Sequence, residues 1–208
     1  MKKFLGLIVL VGCMINGNAQ NDPQAKKILD EVSGKVKTFK GITADFAYIT
    51  KDRKNIKRNS VSGRISIKGQ KYFIKQGGAE IYSDGSKTWN YNGDKEVTVA
   101  DVDNDNRTLS PQRLLTDFYD KDFTYKLVGS SGNFYQIQMT PVDKRKNFKQ
   151  VTVFVDKGKK IITKALVIDK SDNNVEFDLK NINTNVVLPD SRFAFDVKKH
   201  PGVEVIEQ

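Results

Sequence analysis

The residues with the clearest potential for chemistry form an acidic run at 101–106, Asp-Val-Asp-Asn-Asp-Asn. Alternating carboxylates suit Ca²⁺, but its twelve-residue binding loop also needs glycine at position six and glutamate at position twelve. Asn106 and Gln112 stand at those two positions. The run is therefore interpreted as a solvated acidic loop, and no metal ion is expected there.

Catalytic groups are otherwise scarce. The chain has one Cys and one His, which excludes a disulfide scaffold and a zinc site built from four Cys or His ligands. His200 stands beside Pro201 with no Ser or Cys arrangement to serve. Residues 85–88, Gly-Ser-Lys-Thr, have the wrong order for a phosphate loop, and the basic run 144–146 is interpreted as an exposed loop or a docking surface. Neither an enzyme nor a bound cofactor is expected.

The charge balance is basic but dispersed. The chain of 208 residues carries 35 Lys and Arg against 25 Asp and Glu, a net charge of +10, and its aromatic content argues against intrinsic disorder. Arg64, Lys68, Lys71 and Lys75 lie in strand-like segments, as on a solvated sheet face. No nucleic-acid partner is therefore expected, while weak attraction to anionic membrane or partner surfaces is the alternative.

The first nineteen residues have the pattern of a secretory signal peptide. Lys2 and Lys3 precede a short apolar run at 4–15, and the small residues of 17–19 predict cleavage before Gln20. This makes 20–208 a single exported domain. The alternative is that residues 10–13, Leu-Val-Gly-Cys, are a lipidation box in which Cys13 becomes an acylated N-terminus.

Periodicity predicts one helix followed by a sheet. Asp22 suits the N-cap of a helix over 22–40, and Gly41 follows its end. From residue 42 the apolar period changes from 3.6 to 2, with short turns that favour antiparallel neighbours. The strand-like runs are 42–48, 61–67, 70–76, 79–83, 87–91, 95–101, 122–129, 134–140, 150–156, 161–169 and 174–181. A second helix is predicted at 110–119 and a further turn near 189–192.

A sheet of about eleven antiparallel strands is expected to curl or close. The apolar stripes of the two predicted helices can then cover its inner face. Periodicity alone leaves two alternatives open: a cavity lidded by the helices, or helices packed tightly on the sheet with no cavity.

The order of these features resembles the LolA-type family of periplasmic lipoprotein carriers. Residues 81–91, Ile-Tyr-Ser-Asp-Gly-Ser-Lys-Thr-Trp-Asn-Tyr, are similar to the family's strand, SDG turn and second strand with a W-x-Y pair. Further matches follow the family order: an L-x-x-V pattern at Leu29 and Val32, an aromatic strand entry at Phe46, the strand 63–74, the lid helix at 111–115, the strand 135–141, and the closing segments 192–196 and 201–205.

This resemblance implies a mainly β, α+β fold: one unclosed antiparallel β-barrel of about eleven strands with a helical lid over an apolar cavity. It implies a monomeric carrier, not an enzyme, that takes acylated lipoproteins from an inner-membrane ABC transporter to an outer-membrane acceptor or membrane surface. Two alternatives use the same fold. One is an outer-membrane acceptor anchored through Cys13, and the other is a regulatory domain that senses lipoprotein or lipid.

The candidate cavity and lid residues come from the same resemblance. They are Leu29, Val32, Phe46, Ile65, Ile67, Phe73, Trp89, Tyr91, Leu114, Leu115 and Phe118. One position departs from the family, which often carries an Arg that hydrogen-bonds to the lid directly after the Lys ending the second strand. Here Lys68 is followed by Gly69, so Lys68 or Lys71 is the candidate to replace that Arg.

Overall fold

A computed structural model describes residues 21–102, 113 and 122–208 of the chain. Within these residues a helix, α1 (Pro23–Val36), precedes twelve strands. The strands are β1 (Ile42–Lys51), β2 (Lys57–Lys68), β3 (Lys71–Gln76), β4 (Ala79–Ser83), β5 (Lys87–Tyr91), β6 (Glu96–Asp101), β7 (Phe123–Gly129), β8 (Phe134–Pro141), β9 (Phe148–Asp156), β10 (Ile161–Asp169), β11 (Asn174–Asn183) and β12 (Glu204–Glu207). Short 3-10 helices occupy Asp190–Phe193 and Val197–Lys199, the first of them at the predicted turn.

All twelve strands belong to one unclosed sheet, in the order β12-β6-β5-β4-β3-β2-β1-β11-β10-β9-β8-β7. The mainly β, unclosed antiparallel fold predicted from the sequence is confirmed, with twelve strands rather than about eleven. The extra strand, β12, pairs with β6 in parallel. Its four residues are all exposed, so it has no alternating burial for a sequence pattern to record.

The cap of α1 also anchors the helix to the edge of the sheet. Asp22 Oδ1 accepts hydrogen bonds from the N–H groups of Gln24 (2.8 Å) and Ala25 (3.3 Å). Asp22 is therefore the N-cap of α1, as predicted. Its Oδ2 accepts a third from the N–H of Leu127 in the edge strand β7 (2.9 Å). One carboxylate therefore fixes both the first turn of the helix and its position on the sheet.

The helix ends four residues earlier than predicted. The N–H groups of Thr38 and Phe39 bond to the carbonyl oxygens of Lys35 and Val36, three residues back. This tightened turn leads the chain into β1. The ring of Phe39 still faces the same side as the apolar stripe of α1. Its spacing from Val36 therefore fits the pattern of a longer helix.

The main core lies between α1 and one face of the sheet, called here the inner face. Ala25, Leu29 and Val32 of the helix are buried against it together with Ile65 and Ile137. At about 1.5–3 kcal/mol for each fully buried aliphatic side chain, this stripe holds α1 in place. None of the helices in the described part of the chain has the length and apolar character needed to cross a membrane.

The opposite, outer face of β2 to β5 is covered by the segment 186–200. Leu188 and Phe193 are buried against Phe73 of β3. The Arg192 guanidinium lies 4.7 Å from the ring centre of Phe73 and donates to Ser66 Oγ. His200, expected to serve no reaction, stacks on the Phe195 ring at 4.4 Å. The sheet therefore has two apolar layers in this half, one on each face.

Gly63 allows β2 to pass close to both of its neighbours. A Cβ atom at this position would lie 2.1 Å from the Lys75 carbonyl oxygen and 2.9 Å from the Phe46 ring. Phe46 faces Gly63 directly across the β1–β2 pair. The glycine that opens the 63–74 motif is thus required because Phe46 fills the space of a side chain.

We expect Gly63→Ala to lower the free energy of unfolding by about 1–3 kcal/mol, the usual cost of overpacking. Gly34→Ala is the matched control, because a Cβ on this helical glycine would have no neighbour within 4 Å. It should raise stability by about 0.5–1 kcal/mol through helix propensity. Urea unfolding measures both, and equal effects of the two substitutions would contradict the close approach at Gly63.

The stabilisation that Asp22 provides should depend on pH. The hydrogen bonds that its carboxylate accepts, above all the one from Leu127 N–H, lower the pKa of Asp22. The folded state then binds the proton less tightly than the unfolded chain. The stabilisation is complete above about pH 4, the ordinary pKa of Asp, and is lost as the pH falls through the lowered folded value.

Asp22→Asn should therefore unfold at a lower temperature than the native chain near neutral pH, and the difference should shrink below about pH 4. Asp30→Asn is the control, since Asp30 forms only an exposed pair with Lys26 one turn away. Thermal unfolding followed across the acidic range gives the result. A stability difference between Asp22→Asn and the native chain that does not change with pH would show that the carboxylate charge is not what anchors the helix.

Candidate functional site

An open pocket lies at the C-terminal end of α1, where the helix leaves the sheet. Its volume is about 320 Å³, at the small end of the roughly 300–1,000 Å³ that ligand sites occupy. Its lining within the described residues comprises Ser33, Val36, Lys37, Phe39, Gly41, Ile42, Ile67, Gly69 and Gln70. The pocket thus forms where the inner face of the sheet continues beyond the last apolar residues of α1.

The lining is apolar inside and basic outside. Ile42 and Ile67, a cross-strand pair at the start of β1 and the end of β2, belong to the buried core. Val36 and Phe39 are half-buried and pack against it. Lys37 lines the pocket and Lys40 precedes Gly41, with both lysines exposed. This surface is complementary to an apolar chain that ends in an anionic or neutral polar group.

Phe39 separates this pocket from a second, much smaller hollow. That hollow, of about 10 Å³, shares Val36, Phe39 and Ile42 with the pocket and continues to Ile161, Ile162 and Ile182. Its volume is about that of one water molecule.

Five of the residues predicted from the resemblance meet in one cluster on the inner face. They are Leu29, Val32, Phe46, Ile65 and Ile67. Ile67 lines the pocket and Val32 lines the small hollow. Leu29 of α1 is buried in the same core as Phe46 of β1 and Ile65 of β2. In this conformation they fill the interior, and they become available to a ligand only if the helix moves.

The structure does not bring Phe73, Trp89 and Tyr91 into this cluster, and their placement in the cavity is corrected. Phe73 pairs with Ser66 and Tyr82, and Tyr82 pairs with Trp89, so these side chains share the outer face. Tyr91 lies two residues further along the same face and packs on Phe195. The reason is the two-residue period of a strand, which sends Tyr72 and Ile74 inwards and Phe73 outwards.

Leu114, Leu115 and Phe118 lie outside the described residues, as does the rest of the predicted helix 110–119 apart from Arg113. So do positions 103–106 of the acidic run and the signal sequence 1–19. Among the described residues no group of three metal-ligating side chains is close enough to hold a metal ion.

Neither Lys68 nor Lys71 takes the place of the family's Arg at position 69. Both lysines pair with Asp190 of the segment on the outer face, at 2.8 and 3.3 Å. The hydrogen bond from Lys68 is the main cause of a lowered pKa at Asp190. Gly69 lines the pocket at a positive φ of 59°, which suits glycine in the tight β2–β3 turn. The two lysines hold the C-terminal segment rather than the helix.

The basic run at 144–146 is only partly an exposed loop. Lys144 and Arg145 are exposed, but Lys146 is 5% exposed and its Nζ lies 3.4 Å from Asp122 Oδ2. Sequence reasoning missed this burial because the partner is 24 residues away. It also placed Phe39 within the helix rather than at the pocket, and no local signal distinguishes the two.

The family model described as "Outer membrane lipoprotein carrier protein LolA" matches residues 37–196. The chain belongs to the LolA family. The sequence resemblance is thereby confirmed. The matched region begins at Lys37, which lines the pocket, and includes every strand except β12.

The chain is similar to several solved structures, one of which superposes closely enough to support the fold. An uncharacterised conserved protein from Thermus thermophilus superposes with a TM-score of 0.58 at 12% identity, over 89% of this chain and 99% of that chain. A LolA superfamily protein from Nitrosomonas europaea gives 0.46 at 13% identity, over 83% and 98%. LprF from Mycobacterium bovis gives 0.44 at 12% identity, over 81% and 97%. No curated protein matches the sequence significantly.

Proposed function

We propose that this protein is a periplasmic carrier that binds the acyl chains of lipoproteins and ferries them from the inner to the outer membrane. The observation that carries the proposal is the open apolar pocket between the end of α1 and the inner face. Membership of the LolA family supports the cargo.

A protein shields acyl chains from water by burying them against an apolar surface. Each methylene group removed from water contributes about 0.8 kcal/mol, so ten of them contribute about 8 kcal/mol. The Ile42–Ile67 pair and the flanking Val36 and Phe39 supply an apolar surface for this purpose. Because the contacts are non-directional, the pocket can accept chains of different length and release them without breaking specific bonds.

A cargo with several acyl chains needs more room than the pocket offers in this conformation. The two ends of α1 differ in a way that allows the space to grow. Asp22 ties the N-terminal end to β7 by a hydrogen bond, whereas the C-terminal end borders the pocket and the small hollow. A pivot about Asp22 would uncover Leu29 and Val32, and rotation of Phe39 would join the two spaces.

The proposal includes the compartment and partners. Export with cleavage after Ala19 places the domain 20–208 in the periplasm as a soluble monomer. An inner-membrane ABC transporter supplies the lipoprotein, and an outer-membrane acceptor or the membrane surface receives it. The protein has no chemical step and no cofactor in this role, because transfer follows from differences in burial of the acyl chains.

Native mass spectrometry of protein recovered from the periplasm tests the cargo. We expect a co-purifying acylated polypeptide on the native chain. Val36→Trp should reduce the loaded fraction at least tenfold by filling the pocket. Lys27→Trp, on the exposed opposite side of the same helix, is the matched control and should load normally.

Two results would contradict this assignment. The native chain could carry only free lipid, or nothing, while a known lipoprotein carrier treated in parallel retains its cargo. Alternatively, Val36→Trp and Lys27→Trp could load equally, which would mean that the cargo does not bind in this pocket. Circular dichroism of both variants shows whether the fold is intact.

The mass of the mature N-terminus tests the export step. We expect a chain that begins at Gln20 and carries no lipid. Cys13→Ser should then leave both the mass and the location unchanged. A mature chain that begins at Cys13 with added acyl mass would instead identify the anchored acceptor.

A further inference from the structure

Three basic loops lie together at the end of the sheet opposite the pocket. They are residues 51–58 at the β1–β2 hairpin, 142–149 between β8 and β9, and 169–173 between β10 and β11. Arg53 Nε donates to the Ser171 carbonyl oxygen, and Lys170 N–H donates to the Asn147 carbonyl oxygen. These contacts join the loops into one surface, called here the basic end.

From this surface we infer that the basic end docks onto an anionic membrane. The three loops contain ten Lys and Arg against four Asp, a net charge of +6, when the whole chain carries +10. Lys51 and Lys146 are neutralised by Glu176 and Asp122, just inside this end. Lys54, Lys57, Lys144 and Lys170 are exposed and form no ion pair within the described residues.

Large apolar side chains project among these lysines. Ile56 is 50% exposed between Lys54 and Lys57, and Val142 is 60% exposed. Ile56 directly precedes β2 and Val142 directly follows β8, so both lie where a strand meets its loop. Lysines that flank an exposed aliphatic group are typical of surfaces that enter the headgroup layer of a bilayer.

The hairpin tip is ordered before any partner arrives. Asp52 Oδ1 accepts hydrogen bonds from the N–H groups of Lys54 and Ile56, each at 2.9 Å, and its Oδ2 accepts from the Arg58 guanidinium. β2 pairs with β3 only from Arg64 onwards, so the hairpin extends roughly 20 Å beyond that neighbour. A rigid tip loses little conformational entropy on docking.

The spacing of the apolar groups favours a lipid surface over a protein partner. Ile56 adjoins β2 and Val142 adjoins β8, so five strand spacings, about 24 Å, separate them across the sheet, with lysines and polar turn residues between them. A protein interface needs a contiguous apolar core. A fluid headgroup layer receives two separate side chains independently while its phosphates face the lysines.

Sedimentation with vesicles tests this inference on the mature chain. We expect binding to phosphatidylcholine vesicles that contain about one third phosphatidylglycerol, weak binding to pure phosphatidylcholine, and loss at high salt. Replacing both Lys54 and Lys57 by Gln should lower the partition coefficient about 25-fold, at about fivefold for each lysine. Ile56→Ser should lower it about fivefold.

The opposite end of the sheet supplies the matched control. Lys40 and Lys159 are also exposed, and replacing both by Gln removes the same charge near the pocket. This pair should change binding less than twofold. Val36→Trp, which blocks the pocket, should also bind vesicles normally, so a failure of the proposed cargo does not affect this result.

Three outcomes would overturn the inference. The native chain could fail to distinguish anionic from neutral vesicles. The two double substitutions could weaken binding equally, which would mean that the net charge of the protein, rather than the basic end, determines vesicle binding. Ile56→Ser could leave vesicle binding unchanged while poly-glutamate binds as tightly as the vesicles, which would make the surface a general anion site.

Discussion

The inner face of the sheet has to be covered, and the available helix is shorter than the face. Strands of period two place isoleucine, valine and phenylalanine side chains on this face along most of the sheet. Exposing so much apolar surface to water would cost more than a small domain can offset. α1 covers part of it through Ala25, Leu29 and Val32, and the pocket forms where this cover stops at Val36.

The two faces of the sheet differ in how they are covered. The segment 186–200 covers the outer face of β2 to β5, held by Lys68 and Lys71 on Asp190 and by Arg192 on Phe73. Its contacts combine ion pairs with stacked rings. The cover on the inner face relies on aliphatic packing, the carboxylate cap at Asp22 and an ion pair between Glu31 and Lys160. The proposed carrier role requires this inner cover to shift while the outer layer keeps the sheet intact.

Local patterns in the sequence predicted much of the fold. The start of α1 follows from cap chemistry at Asp22, and the strands follow from their period and turns. Face assignment failed where consecutive residues are apolar: Tyr72, Phe73 and Ile74 carry no alternation, so nothing marks Phe73 as outward. The pocket depends on Phe39 folding back beside Gly41, and the burial of Lys146 depends on Asp122. Such contacts arise from tertiary packing, which a single sequence does not record.

The seam between β1 and β11 has a consequence for how the chain is made. Thr43 pairs with Asn183 and Lys51 with Asn174, so the first strand meets one of its two neighbours only near the end of synthesis. Contacts this distant along the chain slow folding. Under the proposed export through a translocation channel, which accepts chains in extended form, this delay is an advantage, because the sheet cannot close its central seam before nearly all of the chain has been made.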